Sequence, residues 1–365
     1  MGAQPLPPLG IFGLMTKKPS RVTLATIAEE LSLSPATVSR ALNGKAKQFR
    51  INADTVARIE ALAAELGFFP NFVARSLRTQ KTATIGVIVP DISNPFFAEI
   101  TQAITTTANR SGFSTLLCDT QDSVAKEAEA IKLIESRLAD GIILCPIGTE
   151  SAHVADYVER NPAIVLVDRN LKEVSVPFVG SDNFTGAKEA TEYLIERGHE
   201  RILCLRGLPG TTPSEERHRG YQAAHQECEL PYDKSLVSGN HFGEQAGYME
   251  TKMHLSLNTR FTAIFAMGNM IAMGAIKALS EARLRIPDDV SMIAFDDSPF
   301  APYLATPLTS VEQQTTQVAT MAVQILLQHI GEGVQRGDIS VLLPTKLIHR
   351  ASVRSLSSET GLRPR

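Results

Sequence analysis

Ser34-Pro35-Ala36-Thr37-Val38-Ser39-Arg40-Ala41-Leu42-Asn43 opens with a hydroxyl residue and a proline, then sets Val38, Ala41 and Leu42 on one helical face. A side-chain oxygen just before a helix satisfies a first-turn amide, and proline at the first helical position loses no hydrogen bond. The apolar face needs a neighbour, and the preceding residues supply one. Leu24, Ile27, Ala28 and Leu31 recur at helical spacing behind Thr23, a second cap candidate. Only Ser32-Leu33 separates the two patterns, so the chain is predicted to fold as two short helices joined by a tight turn. A third helix is predicted from Ala53 to Leu66, with Val56, Ile59, Leu62, Ala63 and Leu66 inward and Gly67 closing it.

The outer face of the second helix offers Pro35, Ala36, Thr37, Ser39, Arg40 and Asn43. Arg40 has the donor geometry to pair with the O6 and N7 edge of a guanine, whereas Pro35 and Ala36 have only apolar contact to offer, to thymine methyls. Thr23, Ser34, Thr37 and Asn43 suit phosphate contacts, which fix register without reading sequence. Charge agrees with this. Between Lys17 and Lys81 there are 11 basic and 5 acidic side chains, net +6, and the rest of the chain holds 25 basic and 34 acidic, net -9. A basic headpiece on an acidic body is the footprint of a nucleic-acid reader, although a solvated basic face or a protein adaptor gives the same count.

After Lys81 the pattern changes to short β-branched runs alternating with amphipathic stretches. Strands are predicted at Thr84–Val89, Ser114–Cys118, Gly141–Leu144, Ala163–Val167, Phe178–Gly180, Arg201–Leu205, Thr262–Phe265 and Val290–Phe295. Helices are predicted at Pro95–Arg110, Ala125–Leu138, Gly186–Arg197, Asn269–Ala282 and Gln313–Ile330. That alternation is the signature of parallel sheets built from βαβ units.

With 365 residues, 43% of them hydrophobic and 21% charged, the chain has apolar surface enough for one small and one larger domain. The four cysteines, Cys118, Cys145, Cys204 and Cys228, are scattered and form no CxxC pair, which reads as reduced thiols. Residues 1–15 lack the basic and unbroken apolar regions of a signal peptide, and no apolar run reaches the length of a membrane span, so a cytoplasmic location is expected. There is no phosphate loop, no nucleophile elbow, no HExxH and no GxGxxG opening a helix, and the eight histidines are not at ligand spacing. Gly207-Leu208-Pro209-Gly210 reads as a plain strand-to-helix loop. No catalytic residue, metal site or cofactor is expected.

Val22-Thr23-Leu24, Ile27-Ala28, the stretch from Ser34 to Asn43, and Pro70-Asn71-Phe72-Val73-Ala74-Arg75-Ser76-Leu77 resemble the headpiece and hinge of the lactose-repressor/galactose-repressor family. The likeness continues from Ile85 to about Ser352. It implies an all-α helix-turn-helix headpiece followed by an α/β, two-lobed effector domain like the type I periplasmic sugar-binding proteins. In that family Asn71, Ala74 and Leu77 belong to a hinge helix that orders on DNA, with Leu77 wedged into the minor groove. Two departures stand out: Ala25 replaces a frequent tyrosine, and the loop Gly44–Ile51 is longer and more basic than usual. That loop either adds phosphate contacts or is solvated.

In the body, Pro90-Asp91-Ile92-Ser93-Asn94-Pro95-Phe96-Phe97 resembles the family's effector-pocket loop. Asn94 would bond a hydroxyl and one of Phe96 and Phe97 would stack on a sugar or base face, the other being core. The resemblance also places Asp168 and Arg169 at the cleft, where a surface salt bridge is the plainer reading. It matches Arg217 to an effector-binding arginine and Asp296 to a hydroxyl acceptor. Gly268-Asn269 stands where Asn-Asp is common, and Glu215-Glu216 where an arginine is common, so the ligand contacts at Asn269 differ from the usual ones.

The expected organisation is a disordered extension at 1–21, with Met15 as an alternative start, and a helix-turn-helix domain at 22–69. A hinge and linker at 70–81, a two-lobed effector and dimerisation domain at 82–354 and a polar tail at 355–365 follow. The implied function is a homodimeric transcriptional regulator, a repressor by default. It would bind double-stranded operator DNA under control of a small-molecule effector, a sugar or sugar derivative. A periplasmic solute-binding protein and an enzyme with an unusual cleft are the competing readings.

Overall fold

The protein is described by a computed structural model that covers residues 22–68, 81–148, 150–161, 163–332 and 339–356. The expected extension at 1–21, the hinge residues Asn71, Ala74 and Leu77, and most of the polar tail lie outside the described residues. The chain falls into two compact units divided between Arg78 and Thr79.

In the first unit, helices α1 (Leu24–Glu30), α2 (Pro35–Leu42) and α3 (Ala53–Glu65) follow the predicted pattern. Each start is fixed by a side chain: Thr23 accepts from the Thr26 amide, Ser34 from Thr37 and Asn52 from Asp54. Ile27, Ala28, Val38, Ala41, Ile59 and Ala63 form the buried centre. Burying a side chain of isoleucine size contributes roughly 1.5–3 kcal/mol, which short helices this size need in order to persist.

The second unit is a pair of α/β lobes. In the first, β1 (Thr84–Val89), β2 (Ser114–Asp119), β3 (Gly141–Leu144), β4 (Ile164–Val167), β5 (Phe178–Ser181) and β11 (Ser340–Leu343) form a sheet of order β11-β5-β4-β3-β1-β2. In the second, β6 (Ile202–Leu205), β7 (Val237–Ser238), β8 (Ala263–Ala266), β9 (Ser291–Phe295), β10 (Thr309–Glu312) and β12 (Lys346–Ile348) follow the order β12-β10-β9-β8-β6-β7. Among the described residues every ladder is parallel except β10 with β12.

Central strands bury both faces, so alternate residues feed different cores. Val87 packs with α4 (Pro95–Arg110) and α11 (Thr315–Glu332), while its neighbour Ile88 packs toward α5 (Val124–Ser136) and α6 (Ala152–Arg160). In the second lobe, α7 (Asn183–Ile195) and α8 (Thr212–Glu227) cover one face, and α10 (Asn269–Glu281) the other, with α9 (Glu244–Ser256) packed beside α10.

The chain passes between the lobes at residues 181–183, 312–315 and 343–346. The predicted strands appear within one residue of the expected bounds. The expected helix Gly186–Arg197 instead begins at Asn183, because Asp182 caps it through the Thr185 amide.

Candidate functional site

In the first unit, Pro35, Ala36, Arg40 and Asn43 are exposed, and Thr37 and Ser39 half-buried. The expected phosphate contacts meet a competing demand. Thr23 and Ser34 spend acceptor capacity on capping, and Ser34 Oγ lies 2.9 Å from Thr37 Oγ1. Asn43 folds back, its Nδ2 donating to the Ser39 carbonyl at 2.6 Å. Arg40 points its guanidinium over the Phe49 ring, 4.0 Å from the centroid.

In the second unit the expected cleft residues come together from both lobes. From the first lobe, Asn94 caps α4, its Oδ1 accepting from the Phe96 amide at 3.1 Å. Asp168 and Arg169 follow β4 and are both buried, which excludes the surface salt bridge. Arg169 Nη1 donates to the Ile147 carbonyl at 2.8 Å, and its Nε lies 3.7 Å from Asp168 Oδ2 without a hydrogen-bond partner. From the second lobe, Arg217 is 2% exposed. Its Nε donates to Asn183 Oδ1 at 2.8 Å, Nη1 to the Met267 carbonyl at 2.7 Å and Nη2 to Asp296 Oδ1 at 3.3 Å. The Phe295 ring lies against its guanidinium, 3.7 Å from the centroid.

The walls meet directly: Asn269 Nδ2 donates to Asn94 Oδ1 at 3.2 Å, and Arg169 lies 5.3 Å from the Phe242 ring centroid. Phe96 and Phe97 are both buried in the first-lobe core but diverge at its edge. Phe97 approaches Arg169, and Phe96 lines a 190 Å³ pocket with Glu99, Asp296, Asp297 and Gln313. The expectation that only one phenylalanine belongs to the core is corrected.

Burial pushes the Asp168 carboxyl up to about 6, with Asp296 adding to the rise and Arg169 and Arg217 opposing it. Burial likewise lowers Arg217 from its ordinary value, against the pull of Asp296 and Asp168. Glu215, at the departure from the usual arginine, pairs with Arg206 at 2.8 Å and accepts from the Gly210 amide.

Three cleft residues were not singled out from the sequence. Asn183 orients Arg217, Phe242 faces both arginines, and Gln313 donates to Asp296 at 2.5 Å. Phe242 sits on a loop and Asn183 and Gln313 at lobe crossings, where periodicity carries no signal; Gln313 precedes α11 instead of opening it. Among the described residues, no group of three or more His, Cys, Asp or Glu is placed to hold a metal, and no helix is long and apolar enough to cross a membrane.

Residues 82–350 match the periplasmic binding proteins and sugar-binding domain of the LacI family, and residues 23–71 the bacterial regulatory proteins of that family. This chain belongs to the LacI family. As a LacI-family protein it is a DNA-binding transcription regulator, and the family is one of regulators, not enzymes. It is 32% identical to the ribose operon repressor of Halalkalibacterium halodurans, over 91% of this chain and 97% of that protein. It is also 32% identical to the transcriptional repressor CytR of Escherichia coli, over 93% of this chain and 98% of that one. Among solved structures, the lac repressor dimer bound to operator and an anti-inducer shares the fold, with a TM-score of 0.81, 23% identity and coverage of 92% and 100%. A complex of the transcriptional regulator CelR with cellobiose gives a TM-score of 0.68 at 26% identity, covering 91% and 100%.

Proposed function

We propose that this LacI-family member is a cytoplasmic homodimeric repressor that reads a pseudo-palindromic operator and is controlled by a pentose or a pentose derivative in the interlobe cleft. The observation that carries the effector class is the inventory of the cleft. Two carboxylates, two guanidiniums and four side-chain amides converge among phenylalanine rings. Carboxylates and guanidiniums hold vicinal hydroxyls in paired hydrogen bonds, and ring faces take the C–H face of a sugar. Asp168, Asp296, Asn94 and Asn269 are the proposed hydroxyl partners, with Arg169 and Arg217 as donors and Phe96, Phe97 and Phe242 as the apolar walls. The relative named as a ribose operon repressor supports the size class.

On the DNA side, Arg40 is proposed to read a guanine in the major groove. Pro35 and Ala36 would take methyl contacts, and Thr23, Ser34, Thr37, Ser39 and Asn43 backbone contacts. By the motif match, Asn71, Ala74 and Leu77 would form the hinge, with Leu77 as a minor-groove wedge.

The test is selection of bound duplexes from a randomised library with the full-length protein at two salt concentrations. The reading predicts a recovered palindrome whose guanine preference at one position per half-site collapses in Arg40→Ala, over a salt-sensitive background. Absence of any DNA binding would return the cleft to a solute-binding role.

A further inference from the structure

We infer that Phe49 is a positioning residue for Arg40 and so sets how sharply the protein reads one base pair. The inference rests on Arg40 being a base reader and adds what holds it in place.

Arg40 sits in the last turn of α2 and is exposed. A free arginine there samples many rotamers, and ordering a side chain of this kind on binding costs roughly 0.5–1.5 kcal/mol, a factor of about three to ten in affinity. The loop after α2 removes that freedom. Its backbone is tied to the helix end, with the Lys45 amide donating to the Arg40 carbonyl at 2.9 Å. The next links are internal: Phe49 N donates to the Lys45 carbonyl at 3.2 Å and Ile51 N to the Ala46 carbonyl at 2.9 Å. Arg50 turns the chain through a left-handed conformation, φ 53°. The result is a hydrogen-bonded knuckle that holds Phe49 beneath the guanidinium at 4.0 Å.

A cation over a ring face uses none of its N–H donors, so the edge that pairs with guanine stays available. Phe49 itself is 42% exposed, too open for its ring to serve mainly as core. Lys45, Lys47 and Arg50 stand on the same knuckle, so its charge adds affinity for phosphate while Phe49 adds discrimination.

The experiment uses full-length protein and the duplex recovered by library selection, together with every single base-pair replacement and an unrelated duplex. Wild type, Phe49→Leu, Phe49→Tyr, Arg40→Ala and the Phe49→Leu/Arg40→Ala double variant are titrated by fluorescence anisotropy. The expected result is a roughly threefold to tenfold loss for Phe49→Leu on the selected duplex. That loss is confined to the base pair that Arg40→Ala affects, is absent in the Arg40→Ala background and is restored by Phe49→Tyr. Equal losses on all duplexes, or an undiminished loss in the Arg40→Ala background, would show that the ring acts structurally or on phosphate and overturn the inference while leaving Arg40 as reader. Tighter binding by Phe49→Leu would show the ring withdraws Arg40 and would overturn it as well. If Arg40→Ala changes no base preference, the reading of Arg40 fails first and the inference with it.

Discussion

Asp168 and Asp296 occupy matching places in the two lobes. Each follows the last residue of a central strand, and each has a left-handed backbone, φ 67° and 70°. Aspartate tolerates this region better than most residues, but the conformation still costs energy and persists only where the surroundings demand it. Here it turns two carboxylates into one cleft. Asp296 therefore acts electrostatically on Asp168. The Asp168 carboxyl is pushed up from 3.8 to about 6, first by burial and then by Asp296, so the folded state holds the proton more tightly than the unfolded chain does. The contribution to stability is thus full below the ordinary value and is lost as pH rises through about 6. Urea unfolding of wild type and Asp168→Asn across this range should show the wild-type stability falling relative to the variant between about pH 4 and 6, then running parallel above about pH 7. Wild-type stability that instead rises with pH relative to the variant would mean that the arginines, not burial, control this carboxyl.

At the scale of elements, helix pairs in the second lobe approach through glycine. A Cβ built on Gly274 would lie 2.0 Å from the Glu244 carbonyl oxygen and 2.5 Å from the Tyr248 nitrogen, and one on Gly247 2.1 Å from the Ile271 carbonyl oxygen. Backbone atoms cannot yield as a flexible side chain would, so α9 and α10 must separate to accept even a methyl. Gly274→Ala is expected to cost about 1–3 kcal/mol in unfolding free energy, measured by denaturant titration with the slope unchanged. A neutral result would mean that the two helices shift freely.

The same contact explains why α9 was not legible in the sequence. Its buried positions are Gly247, Thr251 and His254, while Met249 and Met253 are exposed, so the apolar residues mark the outer face and the usual periodicity argument points the wrong way. The central strands, by contrast, were readable, because burial on both faces demands an unbroken apolar run. β10, β11 and β12 are short and flanked by chain that changes lobe, and only tertiary pairing defines them. In the cleft, Asn94, Asp168, Arg217, Asn269 and Asp296 were recognised through local motifs. Asn183 and Gln313 were missed because their place beside Arg217 and Asp296 depends on where the chain crosses between lobes.

For the whole molecule, those crossings set the mechanism that the account requires. Gln313 sits on one crossing and binds Asp296, and Asn183 sits on another and binds Arg217, so the groups proposed to meet the effector are bonded to the segments about which the lobes would turn. An effector that favours one lobe arrangement must change operator affinity by the ratio of its affinities for the two arrangements. The most direct test is anisotropy titration of the full-length protein on its selected operator with and without saturating D-ribose, and with other pentoses, hexoses and purines as comparators. A pentose, and not the hexoses or purines, is expected to shift operator affinity by roughly fivefold to 150-fold, the usual span of allosteric coupling. Operator affinity unmoved by every pentose, or moved only by a purine or hexose, would contradict this expectation.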